Sequence, residues 1–161
     1  MKYQESYSYG KGKEEEFHNI CGRLNISTKS STKDQDIYDH IDGYITLWGK
    51  RYSYDFKAQK KKNRGDENYS EELWIELKNV RGNPGWLYGK ADLIIFETKK
   101  EYIVTSREKL PKIVEKLVDR SEIFGYPCLY KLYRRKGRED LITLIREEDL
   151  EGCVKFKIGR I

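Results

Sequence analysis

The sequence predicts an α/β domain of the α+β kind, a mixed sheet flanked by helices. Apolar and polar residues alternate from Ile41 to Leu47 and again from Tyr52 to Gln59. "ADLIIFE" (Ala91 to Glu97) is continuously apolar, and residues 13–24 and 107–120 carry apolar side chains at helical spacing. With 161 residues and no internal repeat or boundary, 1–161 reads as a single domain.

Residues 1–10 are polar and Tyr-rich and read as an arm or irregular segment. From Lys13 to Leu24, Phe17, Ile20, Cys21 and Leu24 form a helical stripe, with Glu14, Glu15 and Glu16 in the first turn, where the helix dipole favours acids. Ser27 to Asp36 reads as a loop. Ile41, Gly43, Ile45 and Leu47 then fall on one strand face and Asp42, Tyr44 and Thr46 on the other. After Gly49, Tyr52, Tyr54, Phe56 and Ala58 alternate against Ser53, Asp55, Lys57 and Gln59, a hairpin pattern.

Lys60 to Glu72 is a charged loop, 73–80 a strand and "RGNPG" (Arg81 to Gly85) a turn. Ala91 to Glu97 has the pattern of a central strand buried on both faces, and 101–106 of its neighbour across a short turn. Arg107 to Arg120 predicts a helix with Leu110, Ile113, Val114 and Leu117 inward and Pro111 confined to its first turn. Short strands are expected at 128–133, 140–145 and 153–158.

Charged residues make up 37% of the chain and apolar ones 37%, but 13 Tyr, 3 Trp and 5 Phe supply core material that disordered chains lack. The net charge of +5 fits a polyanion partner without demanding one. Basic residues cluster at Lys60, Lys61, Lys62 and Arg64, and at Arg134, Arg135, Lys136 and Arg138. Cys21, Cys128 and Cys153 are isolated, which argues against zinc ribbons and disulfide scaffolds. The first residues lack an apolar signal core and no run suits a membrane span, so the expected compartment is the cytoplasm.

On the second strand of the hairpin, Asp55 and Lys57 share a face. A turn at Gly49-Lys50 sets Asp42 opposite Lys57, and a turn one residue earlier sets it opposite Asp55. Either register keeps the apolar residues together, whereas the intermediate slip would bury Asp42 among Tyr and Phe. Two neighbouring carboxylates repel unless neutralised. Lys57 does part of this, and a hard cation such as Mg²⁺ (with Mn²⁺ as substitute) suits the rest. Such a set is fitted to phosphodiester hydrolysis. A solvated cross-strand Asp–Lys pair is the plainer reading, since Glu76-Leu-Lys78 and Glu97-Thr-Lys99 repeat the triplet elsewhere.

An acid-bearing first helix, an Asp, a hairpin and an Asp-x-Lys triplet stand here in the order of the PD-(D/E)XK nucleases. "HIDGYITLWGKRYSYDFKAQKK", "WIELKNVRGNPGWLYGKADLIIFE" and "GREDLITLIREEDL" resemble phage-encoded Holliday junction resolvases and endonucleases of that superfamily. The resemblance runs from about Gly12 to Leu150. It implies a restriction-endonuclease-like fold and a Mg²⁺-dependent endonuclease cutting duplex or branched DNA. Asp42 and Asp55 would be metal ligands, Phe56 would add its carbonyl, and Lys57 would be the catalytic lysine. The first-helix acid would be Glu16, with Glu14 or Glu15 as substitutes. Ile41 replaces the motif's Pro, and the triplet begins with Asp.

Gln59 and Glu76 are candidates for the site's edge. A rival assignment makes Glu76-Leu-Lys78 the triplet with Asp55 upstream. Lys60, Lys61, Lys62 and Arg64 would carry DNA phosphates just past the active strand. Trp86 and Tyr88 suit either base stacking or packing. Asp92 reads as structural, and neither His18 nor His40 reads as a ligand. Junction resolution implies a homodimer, because it needs two symmetric cuts, and for a phage protein the compartment is the host cytoplasm. The alternative is a non-catalytic nucleic-acid-binding module on the same fold.

Overall fold

The computed structural model describes residues 2–61 and 70–160. Helix α1 (Lys2–Arg23) leads to β1 (Thr28–Ser30), α2 (Lys33–Asp39) and the hairpin of β2 (Gly43–Leu47) and β3 (Lys50–Lys57). Then come β4 (Glu72–Lys78), a 3₁₀ turn (Trp86–Tyr88), β5 (Leu93–Glu97), β6 (Glu101–Ser106) and α3 (Leu110–Leu117). The chain continues with β7 (Asp119–Phe124), β8 (Lys131–Tyr133), β9 (Leu141–Arg146), a second 3₁₀ segment (Glu147–Cys153) and β10 (Val154–Gly159). The protein is α+β, with two mixed sheets. One has the order β1-β2-β3-β5-β6-β10, the other β4-β9-β8-β7.

Three local expectations change. The expected arm is helical, since no proline interrupts α1 before Arg23. The expected loop from Ser27 contains β1 and α2. Helix α2 opens on a capping box in which Thr32 accepts from the Gln35 N–H and the Gln35 side chain accepts from the Thr32 N–H. At the other end of the chain α3 stops at Leu117, and the residues after it form edge strand β7.

The hairpin takes the earlier of its two registers. Leu47 pairs Lys50 and Gly43 pairs Tyr54, so Trp48 and Gly49 form the turn, with φ of 50° and 76°. Positive φ at both central residues is the type I′ geometry, whose twist matches that of the strands. Continuing the register by one residue sets Asp42 against Asp55.

β3 runs parallel to β5, and β5 antiparallel to β6. Asp92 clamps the start of the parallel pair, where its carboxylate accepts from both the N–H and the hydroxyl of Ser53. All five residues of β5 are buried, because both faces of this sheet are covered. On one face, Tyr54, Phe56, Leu93, Ile95 and Tyr102 pack under Phe17 and Cys21 of α1. On the other, Ile94, Phe96 and Ile103 meet Leu73, Ile75 and Ile145 of the second sheet and Leu110 and Val114 of α3. The polar face expected for β3 is therefore not a solvated one. Asp55 and Lys57 lie on the side of β3 that faces the second core.

Candidate active site

β2 begins only at Gly43, so among the described residues no strand lies beside the last residues of β3 on that side, and Asp42 occupies the notch. Its N–H donates to the Tyr54 carbonyl, and its Oδ2 accepts from the Phe56 N–H at 2.7 Å. In an extended strand a residue's N–H and C=O point to the same side, so the Phe56 carbonyl faces the notch as well.

Asp55 is 3% exposed. Its Oδ1 pairs with the Lys57 Nζ at 3.0 Å, while Oδ2 is buried and has no hydrogen-bond partner among the described residues. Asp42 and Asp55 are neighbours whose carboxyl groups act on one another's protonation. Burial, joined by the Asp42 charge, drives the Asp55 pKa well above the usual carboxylate range against the pull of Lys57. For Asp42 the upward push of burial is outweighed by Lys57, by Asp36 and by the Phe56 N–H, so its pKa falls. Burial alone would lower the Lys57 pKa, but the Asp55 and Asp42 charges more than offset that and raise it. Lys57 Nζ also lies 4.7 Å from the centre of the Trp86 ring, a cation–π contact.

Asp42 also acts on two further acids. Glu14 of α1 is 6% exposed and accepts from the Tyr54 hydroxyl at 3.2 Å. Lys11 Nζ lies 3.4 Å from it, and His18 bonds the same hydroxyl. The hydroxyl reaches this point beneath Gly43, where a Cβ would come within 2.6 Å of it. Burial and the Asp42 charge raise the Glu14 pKa. Asp36 of α2 lies beside Asp42, and burial joined by that neighbour raises its pKa to about 6.

Glu16, the expected helix acid, lies elsewhere. Its side chain is 53% exposed and lies 3.7 Å from Lys13 and 3.6 Å from Arg160. The helical stripe explains the exchange. Glu14 precedes Phe17 by three residues and Cys21 by seven, so it points inward with them, whereas Glu16 lies on the flank with Ile20. Asp36 was hidden within an expected loop, although Thr32-Lys-Asp-Gln35 carries the capping signature that marks a helix start.

Gln59 does not reach Asp55. Its N–H donates to Glu97 and its amide to the Ser70 carbonyl. Glu76 stands at the edge, accepting from the Trp86 N–H at 3.3 Å and adding to the field on Lys57. The rival triplet is not assembled, because Glu76 and Lys78 lie on β4 of the other sheet with a register shift between them. Trp86 is buried and Tyr88 bonds Glu115. Lys60 and Lys61 line a cleft of about 510 Å³ that begins at Lys57, and Arg135 of the other basic cluster lines it too. Lys62 and Arg64 lie outside the described residues.

Among the described residues, no three His, Cys, Asp or Glu side chains gather closely enough to enclose an ion by themselves. Mg²⁺ does not require that, since one or two carboxylates suffice when waters and substrate phosphates fill its other positions. Asp42, the buried unpaired oxygen of Asp55 and the Phe56 carbonyl fit such an ion. No protein-family model, curated protein or solved structure matches the chain.

Proposed function

We propose that the protein is a metal-dependent DNA endonuclease built on the restriction-endonuclease-like plan, with the notch beside β3 as its active site. The observation that carries this reading is the unpaired Asp55 oxygen, buried next to a second carboxylate. Removing such an oxygen from water costs several kcal/mol without compensation, and a hard cation would provide it. Asp42, Asp55 and the Phe56 carbonyl would hold Mg²⁺, with Mn²⁺ as a substitute. When bound, the ion supplies an activated water and a Lewis acid for the scissile phosphate.

The chain's own groups have separate roles. The Phe56 N–H and the hairpin register hold Asp42 in place. Lys57, kept charged by Asp55 and Asp42, offers its ammonium to the negative charge that builds on the phosphate. Glu14, held by Tyr54 and Lys11, stands behind Asp42 as an outer carboxylate. Cutting a four-way junction symmetrically would take two copies of the chain related by a twofold axis.

Asp55→Asn and Lys57→Ala test this reading on four-way-junction and plain duplex DNA with Mg²⁺. Each is expected to lower cleavage by about 100-fold or more. Full activity in both variants would refute the assignment. Binding that ignores Mg²⁺ and EDTA, with no cleavage by the unaltered chain, would instead make it a non-catalytic nucleic-acid module.

A further inference from the structure

Beside the notch, the cleft of about 510 Å³ is larger than the hydrolytic groups need. Lys57 belongs to both, through its pair with Asp55 and its place in the cleft wall. A volume of this size is typical of pockets for small organic ligands. Its lining combines Lys60, Lys61 and Arg135 with Trp74 and Glu76.

Arg135 is anchored, its Nε donating to the fully buried Asp140 at 2.6 Å. Lys60 keeps solvent contact but is crowded, and partial removal from water together with Lys57 and Arg135 lowers its pKa. Three cations that repel one another favour an anion between them. Glu72, Glu97 and Glu147 also line the cleft, so its charge is mixed and does not form a uniform track for a phosphate backbone. Trp74 is half-buried, with its ring 6.2 Å from that of Tyr133. Its indole N–H is buried without a hydrogen-bond partner among the described residues.

We infer that this cleft receives one unpaired nucleotide of the DNA strand, its phosphate on Lys60, Lys61 and Arg135 and its base against Trp74. With the base on the face of the indole ring, Glu76 would accept from a ring N–H or an exocyclic amine on its edge. A stacked duplex does not enter a space of this size, whereas a splayed-out nucleotide does. The inference rests on the nuclease reading and deepens it. Placed beside Lys57, the cleft would direct cutting to DNA that carries an unpaired nucleotide next to the scissile bond.

The test is binding in EDTA, which is independent of cleavage. The probes are a hairpin duplex with one unpaired 5-iododeoxyuridine, the same duplex fully paired, and free deoxyadenosine monophosphate. The unaltered chain should prefer the unpaired probe by about tenfold, and Trp74→Ala should remove that preference while paired-duplex affinity stays within about twofold. Trp74→Phe, which keeps a ring, should retain most of the preference. Photocrosslinking to the unaltered chain, which needs no variant to fold, should map the iodinated base to the peptide containing Trp74. Crosslinks confined to other segments, or a preference that survives Trp74→Ala, would overturn the inference. So would mononucleotide binding as tight as that of the strand, which would make the cleft a free-nucleotide site. Loss of cleavage in Asp55→Asn leaves these readouts untouched, so the two proposals fail separately.

Discussion

Two buried carboxylates on neighbouring strands of one sheet each keep an oxygen without a hydrogen bond among the described residues, Asp55 Oδ2 and Glu97 Oε2, but the charges around them differ. Glu97, at the end of β5, accepts from the Gln59 N–H, and Lys13 and Arg160 lie 4.0 and 3.6 Å from its Oε2. Glu16 shares both of those cations, so two acids there face two bases. Asp55 on β3 has Lys57, but Asp42 lies next to it, and Asp42 in turn acts on Glu14 and Asp36. Among the described residues, four acids around the notch thus face Lys57 and Lys11. Burial raises the pKa of both Asp55 and Glu97, so a raised pKa does not separate a site from a strut. The balance of nearby charge does. The Glu97 cluster neutralises itself and ties α1 and the segment after β10 to β5. Among the described residues the Asp55 cluster gathers more carboxyl groups than cations, and the protons that burial and the Asp42 charge favour there are ones an added cation could displace.

Metal titration should separate the two most strongly. Mg²⁺ at one hundred times its dissociation constant should stabilise the unaltered chain by about 2.7 kcal/mol, read from chemical denaturation with and without EDTA. Asp42→Asn and Asp55→Asn should abolish that gain, and Glu97→Gln should keep it whole. If Glu97→Gln abolishes the gain and Asp55→Asn keeps it, the two regions have been assigned the wrong way round.

The next effect runs in the other direction. Glu97→Gln should cost about 2 kcal/mol of stability, because Lys13 and Arg160 lose the charge they were gathered around. Cleavage per folded molecule should change less than about threefold, since Glu97 lines the neighbouring cleft but makes no hydrogen bond or ion pair to Asp42, Asp55 or Lys57. A normal melt with lost cleavage would place Glu97 in the chemistry.

The helix acids give a smaller and sharper contrast. Glu14→Gln should reduce cleavage by about tenfold, the lower end for a group that orients a metal ligand from behind. Glu16→Gln, removing a largely exposed pair, should leave it within about twofold. A reversal of this order in a cleavage assay would restore Glu16 as the first-helix acid.

What the sequence made legible follows from local rules. Period-two alternation located β2 and β3, and the cost of burying Asp42 among aromatic rings restricted the hairpin to two registers, one of which forms. The continuous apolar run located β5. Other features depended on long-range packing. Nothing in the alternation of β3 shows that a second sheet covers the face bearing Asp55 and Lys57, because that sheet is built from β4 and from strands after residue 118. Arg135 reaches the cleft by the same distant route. Asp36 and Glu14 were more accessible, the first through the capping pattern and the second through its spacing from Phe17 and Cys21, but clusters of acids in a chain this charged tend to conceal the one that points inward.

The finest test of the comparison is the pH dependence of stability around Asp36. Its folded pKa is about 6, above the roughly 3.9 of an unfolded aspartate, so between those values the folded chain holds a proton that the unfolded chain releases. Stability from this source is complete below about pH 4 and declines as pH rises through about 6. Urea denaturation of the metal-free chain should show that decline, and Asp36→Asn should remove the part centred near pH 6, on top of the same-signed contributions of Asp55, Glu14 and Glu97. The proton is held by burial and by the neighbouring Asp42 charge, so Mg²⁺ on Asp42 should weaken the dependence as well. Nothing comparable should follow from Mg²⁺ at Glu97, where Lys13 and Arg160 already balance the charge. A share of the slope that Mg²⁺ leaves intact while Asp36→Asn removes it would mean that the ion binds away from Asp42, and the gathering of carboxyl groups in the notch would then have to be explained without it.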